Sequence, residues 1–304
     1  FQRFRSITRS FAALSHFCYE AFKGLVYATM NPYIFLAAVI VVIVLALLIP
    51  RYRLKRALAA PFPEEWVQTL ERNIGIYRNL PMPLRLQLRQ LIKQFLHQKH
   101  FSGAGGLEIT DEMRITIAAQ ASMLQLNRGS ALYPRLKYII VYPTAFVVTR
   151  SDMDDAGVVS HGRKGLLGES WQNGKVIVAW DNVLHGARNF VDGSNVVLHE
   201  FAHQLDSETG STDGAPLLAG ASSYRSWASA LSEEFVELQK DARFGKRSLM
   251  DHYGATNPAE FFAVATETFF EKPRRMAKYH QELFEVLRSY YRIDPREWQE
   301  SRDG

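Results

Sequence analysis

The sequence predicts an α+β protein in which one apolar N-terminal helix and a helical lead-in precede a mixed domain. Three observations predict it. Residues 33–49 form an unbroken apolar run, residues 84–126 carry hydrophobic side chains at helical spacing, and beyond Pro134 the period shortens to that of strands before helices return near Asn195. A chain of 304 residues is long enough for one or two domains with a full core. Its 47% hydrophobic and 22% charged residues are the balance of a globular protein. The single cysteine, Cys18, excludes an internal disulfide framework and fits a reducing compartment.

The formal charge of +5 is unevenly placed. Residues 1–56 hold eight Lys/Arg and one acid, whereas residues 57–304 hold 28 basic and 30 acidic residues. A nucleic-acid partner would need basic side chains gathered on the folded domain, so direct nucleic-acid binding is not expected. The run from Tyr33 to Ile49 has seventeen residues and no charge, Gly or Pro. That length is at the short end for crossing a bilayer. A cleaved signal peptide carries its charges before the apolar run and small residues after it. Here Arg51, Arg53, Lys55 and Arg56 come directly after the run, ahead of the first small residues that follow it, Ala57-Leu58-Ala59-Ala60. A buried core helix would show a polar face, and this run has none. We therefore expect a basic N-terminal segment at 1–29, a transmembrane helix at 30–50 that meets lipid through residues 33–49, and a cytoplasmic location for residues 51–304. Arg3, Arg5, Arg9 and Lys23 pull against that orientation, and Met30 would open a short anchor. Without the N-terminal segment the same protein would be cytoplasmic.

Residues 51–105 read as a linker and helical lead-in. Pro61 and Pro63 mark a turn, Glu64 to Leu70 open a helix, and Leu84, Leu88, Leu91, Ile92 and Phe95 recur at helical spacing around Arg85, Arg89 and Lys93. That basic face is read as solvated. Ser102 to Gly106 is expected to be a loop, and Thr110 to cap a helix running to about Leu126, with Asp111 and Glu112 in its first turn. Tyr138–Tyr142 and Phe146–Thr149 are strand-like. Asn173-Gly174 predicts a hairpin turn, with Val176 to Trp180 as the returning strand.

The chemistry begins after Asp192. Ser194 or Asn195 is placed to cap a helix that runs from Val196 to Asp206 and contains His199-Glu200-Phe201-Ala202-His203. Four residues make about one helical turn, so both imidazoles project from one face and can share a tetrahedral Zn²⁺. Glu200 lies about 100° round the helix, displaced from the metal yet within reach of a water on it, the general-base position of an H-E-x-x-H enzyme. Val197, Phe201 and Leu205 form the buried stripe. Catalytic zinc normally takes a third protein ligand. A third His at position 209 is excluded, because Thr209 stands there. Two carboxylates remain, Glu260 and Glu267, seven apart on one face of a helix opened by Asn257 and Pro258. Glu260 also sits where a capping-box Glu belongs, and Glu267 is an unusual carboxylate among apolar neighbours. Spacing does not choose between them.

The run His199 to Asp206, with Tyr253-Gly254-Ala255, Asn257 to Val264 and, upstream, Ile109 to Ala121, resembles the Mlc titration factor A family of bacterial metallopeptidases over about residues 60–290. The family is similar in its catalytic core to anthrax lethal factor, where a tyrosine seven residues before the ligand glutamate plays a comparable part. The resemblance implies a zincin-like core, with a small mixed sheet over the H-E-x-x-H helix, in a metallopeptidase domain at 106–304. It places the third zinc ligand on Glu260 and an active-site tyrosine on Tyr253. It implies a peptide or protein substrate and, as a further partner, a glucose-responsive repressor resembling Mlc. The familiar members are soluble, so the apolar run is a departure. The expected reaction is hydrolysis of a peptide bond by metal-activated water, with Glu200 taking the proton and Tyr253 donating to the oxyanion. Asp206, three residues past His203, would either orient a ligand imidazole as outer-shell support or bond a structural partner near the helix end. Strand 176–180 is a place for an extended substrate to pair. His161, His185 and His252 are read as structural or surface residues. The rival reading is a regulatory module that sequesters the repressor, with the zinc site latent.

Overall fold

The structure, a computed structural model, describes residues 32–129, 131–144 and 174–299. The chain divides into two compact units, Phe1–Arg56 and Ala57–Gly304. Helix α1, Pro32–Ala59, carries the apolar run straight through Pro50 into the basic residues. It is long and apolar enough to cross a membrane by length and composition, with a mean hydropathy of 3.1 over its most apolar stretch and none of that stretch buried.

The second unit opens with α2, Glu64–Asn73, and α3, Met82–Gln98. Leu88, Ile92 and Phe95 turn the α3 stripe inward, as their spacing requires. Strand β1, His100–Gly103, comes directly after it. The expected loop at 102–106 thus begins two residues late, because Ser102 and Gly103 pair with Ile140 and Val141. Gly103 is suited to that edge: a Cβ there would fall 1.8 Å from the Leu107 carbonyl oxygen. Helix α4, Asp111–Met123, starts where expected, with Thr110 Oγ1 accepting from the Met113 N–H at 3.3 Å. It is buried from Ile115 to Met123 and packs against α2, α3 and the later helix Val196–Asp206. An irregular turn replaces its expected last residues.

Strand β2, Tyr138–Tyr142, lies between β1 and β3, Lys175–Ala179. Both pairings are parallel, with Tyr138 opposite His100 and Lys175. Ile139, Val141, Val176 and Val178 are buried, so one face of the sheet meets the core. The expected mixed sheet is all-parallel among the described strands. The 146–149 strand, the partner of the Asn173-Gly174 hairpin and His161 lie outside the described residues. Gly174 does take a positive φ, +67°, and its carbonyl accepts from Lys137 and Tyr138. Trp180 opens helix α5, Trp180–Arg188, rather than ending the strand.

The remainder is helical: α6, Val196–Asp206; α7, Ala221–Phe244; α8, Pro258–Glu271; α9, Pro273–Tyr279; and α10, Gln281–Tyr291. Helix α8 is buried from Ala259 to Glu271, so its acids Glu260, Glu267 and Glu271 lie inside the protein rather than on a solvated face. Phe269, Phe270, Phe284 and Tyr291 pack it against α10, with ring centroids 5.1–5.6 Å apart.

Candidate metal centre

Two helices meet at the site, and each begins at an asparagine. Asn195 holds an extended backbone, and its side-chain oxygen accepts from the Val197 and Leu198 N–H groups at 3.1 Å, two donors that a helix start leaves without an internal partner. Phe201 fixes the rotation of α6, its ring 4.9 Å from that of Tyr133 and 5.6 Å from that of Phe95. With Phe201 inward, the next faces carry His199, Glu200 and His203. Asn257 caps α8, accepting from the Glu260 N–H at 3.0 Å, with Pro258 in the first turn. That placement sets Glu260 at the end of α8 facing α6.

The three expected ligands converge. His199 Nε2 lies 2.9 Å from Glu260 Oε2, His203 Nε2 lies 3.2 Å from His199 Nε2, and His203 Nε2 lies 3.4 Å from Glu260 Oε2. A tetrahedral ion about 2.0–2.1 Å from each of three atoms would space them by roughly 3.3–3.4 Å. The triangle is therefore close to one face of such a polyhedron, and its three side chains are only 12%, 0% and 9% exposed. It is the metal-capable cluster among the described residues. Its electrostatics fit a cation. Burial lowers the proton affinity of His203, assisted by the charge on His199 and opposed by Glu260, to about 4, leaving a neutral ring with a lone pair. Burial opposes ionisation of Glu260, but its bonds to His199 and His203 win and hold it near about 2. Burial also opposes charge on His199, yet hydrogen bonds to Glu260 and Glu267 and the carboxylates of Glu267 and Glu200 push it up to about 10. The spot occupied by that proton is one a metal ion would take.

Glu200 is fully buried beside this triangle. Tyr253 sits in the short turn His252–Ala255 just before α8, its N–H bonded to Asp251 Oδ1 at 2.8 Å. Its ring centroid is 5.9 Å from that of His199, and the residue is 38% exposed, so it borders the site from the solvent side. His185 bonds Asp192 at the surface and His252 is exposed, so neither joins the triangle.

Asp206 has a structural partner near the end of its helix. Its Oδ2 accepts from the Gly214 N–H at 2.8 Å, and burial pushes its carboxyl up to about 7 against that bond. Gly214 has φ +81°, and a Cβ there would lie 2.5 Å from Pro258 O, so Asp206 ties the loop after α6 against the start of α8. Glu267 reaches His199 from outside the triangle, its Oε1 lying 2.8 Å from His199 Nδ1. Spacing alone puts Glu267 among the candidate ligands; in the fold it meets His199 at Nδ1, whereas Glu260 meets the same ring at Nε2. One signal for it stands in the sequence: an acid with apolar neighbours in the middle of a helix.

Residues 49–292 match the model of the glucose-regulated metallopeptidase M90 family. The uncharacterized protein slr2042 of Synechocystis sp. is 41% identical over 80% of this chain and 89% of its own length. Mlc titration factor A of Pectobacterium atrosepticum is 32% identical, covering 75% of this chain and 88% of its own, and that of Yersinia pestis is 29% identical, covering 76% and 85%. The triangle, Glu200 and Tyr253 all fall inside the matched span, and the chain belongs to the glucose-regulated metallopeptidase M90 family, alongside the Mlc titration factor A proteins.

Proposed function

We propose that the chain is a zinc-dependent peptidase, with His199, His203 and Glu260 as metal ligands, Glu200 as general base and Tyr253 as a donor to the developing oxyanion. One observation carries this reading: three lone-pair donors from two helices lie 2.9–3.4 Å apart, with a buried carboxylate and a half-exposed phenol beside them. Zinc, when bound, supplies a Lewis acid that polarises a scissile carbonyl and acidifies a water. Glu200 projects from the same helix as both imidazoles and accepts the proton of the attacking water. Being fully buried, its carboxylate does this in a medium of low dielectric, where the electrostatic gain is large. Tyr253, on the open side, places its phenol O–H where a peptide carbonyl would enter. The metallopeptidase domain is assigned to 106–304 and the lead-in to 51–105.

The test is Glu200→Gln in the full chain. It should keep about one zinc per chain and lose ~10²–10⁴-fold in turnover of a peptide library, as loss of a general base does. Peptide cleavage at the wild-type rate would remove the mechanism.

A second reading is favoured by the names of the relatives. Mlc titration factor A is named for a repressor, and we infer that this chain also binds a repressor resembling Mlc. Such binding should survive Glu200→Gln, which leaves the outer surface unaltered. A fully metallated wild type that cleaves no peptide yet binds the repressor tightly would make binding the function and the zinc site latent. Helix α1 would hold either activity at a membrane, with residues 51–304 on the cytoplasmic side.

A further inference from the structure

Helix α8 carries three glutamates on the face it turns to α6. Glu267 and Glu271 come seven and eleven residues after Glu260, so the three side chains leave the helix within about 20° of a common line. Only the first belongs to the triangle. Glu267 Oε1 lies 2.8 Å from His199 Nδ1, and its Oε2 accepts from the Asn195 N–H. Glu271 Oε2 accepts from the Gly193 and Ser194 N–H groups at 2.8 and 3.1 Å, and its Oε1 accepts from Asn195 Nδ2 at 3.1 Å. The two acids divide the work. Glu271 grips the loop that leads into α6, and Glu267 grips both the cap residue of that helix, Asn195, and the ring one turn later.

We propose that Glu267 is the positioning residue of the metal centre: it fixes the proton of His199 on Nδ1, so that Nε2 presents its lone pair to the ion. This rests on the metal reading above. Both oxygens of Glu267 are committed as acceptors, and an acceptor facing Nδ1 demands a donor there. The ring then has one tautomer available for ligation, and the carboxylate makes Nε2 a better donor to a cation. The bond from Asn195 N fixes the carboxylate in turn, because a backbone N–H inside a capped helix start cannot swing away.

The arrangement has a sharp consequence for an isosteric change. In Glu267→Gln the amide has one acceptor and one donor end. Its oxygen must serve the immovable Asn195 N–H, which leaves the NH₂ group facing His199 Nδ1. The ring would then carry its proton on Nε2, the atom the metal needs.

The experiment measures zinc affinity of the detergent-solubilised full chain by competition with a chromophoric chelator, alongside the melting temperature of each metal-stripped variant. Glu267→Gln should weaken zinc binding by ~10–100-fold, the range for lost outer-shell partners. Glu271→Gln, which loosens the same helix start without touching His199, should leave affinity within about threefold. Equal affinity in Glu267→Gln and wild type would overturn the assignment, as would an equal loss in both variants, which would place the effect in the helix clamp. If Glu267→Gln does not fold, ¹⁵N-histidine spectra of the zinc-loaded wild type decide: ligation of His199 through Nε2 with a protected proton on Nδ1 supports the assignment, and ligation through Nδ1 overturns it. A wild type that binds no zinc would overturn this assignment and the metal reading together.

Discussion

At the scale of single residues, the site is a contest between burial and partnership. His199, His203 and Glu260 are held in a volume where a lone charge would be costly, and their mutual bonds, the bond between Glu267 and His199 or a shared cation offset that cost. Tyr253 differs, since it stands at the rim and touches the ring of His199 from outside. A phenol O–H that strengthens its bond only as negative charge develops acts on the transition state alone. Tyr253→Phe should therefore lower kcat by up to ~10²–10³, with KM and zinc content nearly unchanged; a change confined to KM in steady-state assays would assign the phenol to substrate binding. The two histidines and Glu200 are legible in the sequence because helical spacing alone puts them together. The choice of Glu260 over Glu267 is not, because both share one face of α8 and the decision belongs to how α8 docks on α6. The tie made by Asp206 is hidden for a related reason: the loop after α6 returns Gly214 to it, and no local pattern announces that return.

At the scale of elements, capping does most to make the site predictable. Thr110, Asn195 and Asn257 each begin a helix by accepting a backbone N–H, and each is readable from residue type and the apolar run beyond it. The sheet is less so. Strand β1 is four residues long and ends in a glycine whose neighbours spell a loop, and pairing of β1 and β3 on either side of β2 is a matter of tertiary closure. Asn195 shows how much one cap supports. Its side chain also donates to Gly186 O at 3.0 Å and to Glu271, in a pocket so close that a Cβ on Gly186 would lie 2.9 Å from Asn195 Cγ. Asn195→Ala removes the cap and strands a buried carbonyl. It should destabilise the metal-free protein by about 2–4 kcal/mol, the sum of a lost cap and a lost buried partner. Denaturant melts would check this, and a loss below about 0.5 kcal/mol would show that water replaces the amide.

At the scale of the whole molecule, the apolar helix and the metal helices make separate demands. If α1 crosses a membrane, the charges just beyond Ile49 predict that residues 51–304 stay on the cytoplasmic side. Protease added to intact cells should leave the second unit whole, and permeabilised cells should lose it; digestion in intact cells would reverse the orientation. The metal donors pose a different question, because His203 and Glu260 are 57 positions apart and reach the triangle from different helices. An ion held there is a removable cross-link between distant parts of the chain, and it binds only when both helices are in place. Free zinc at a hundred times its dissociation constant would add ~2.7 kcal/mol to the folded state. The protein's lifetime would then track its mineral supply: a cell starved of the ion would carry a looser chain, digested sooner, and would lose the protein by attrition before any signal told it to stop making it.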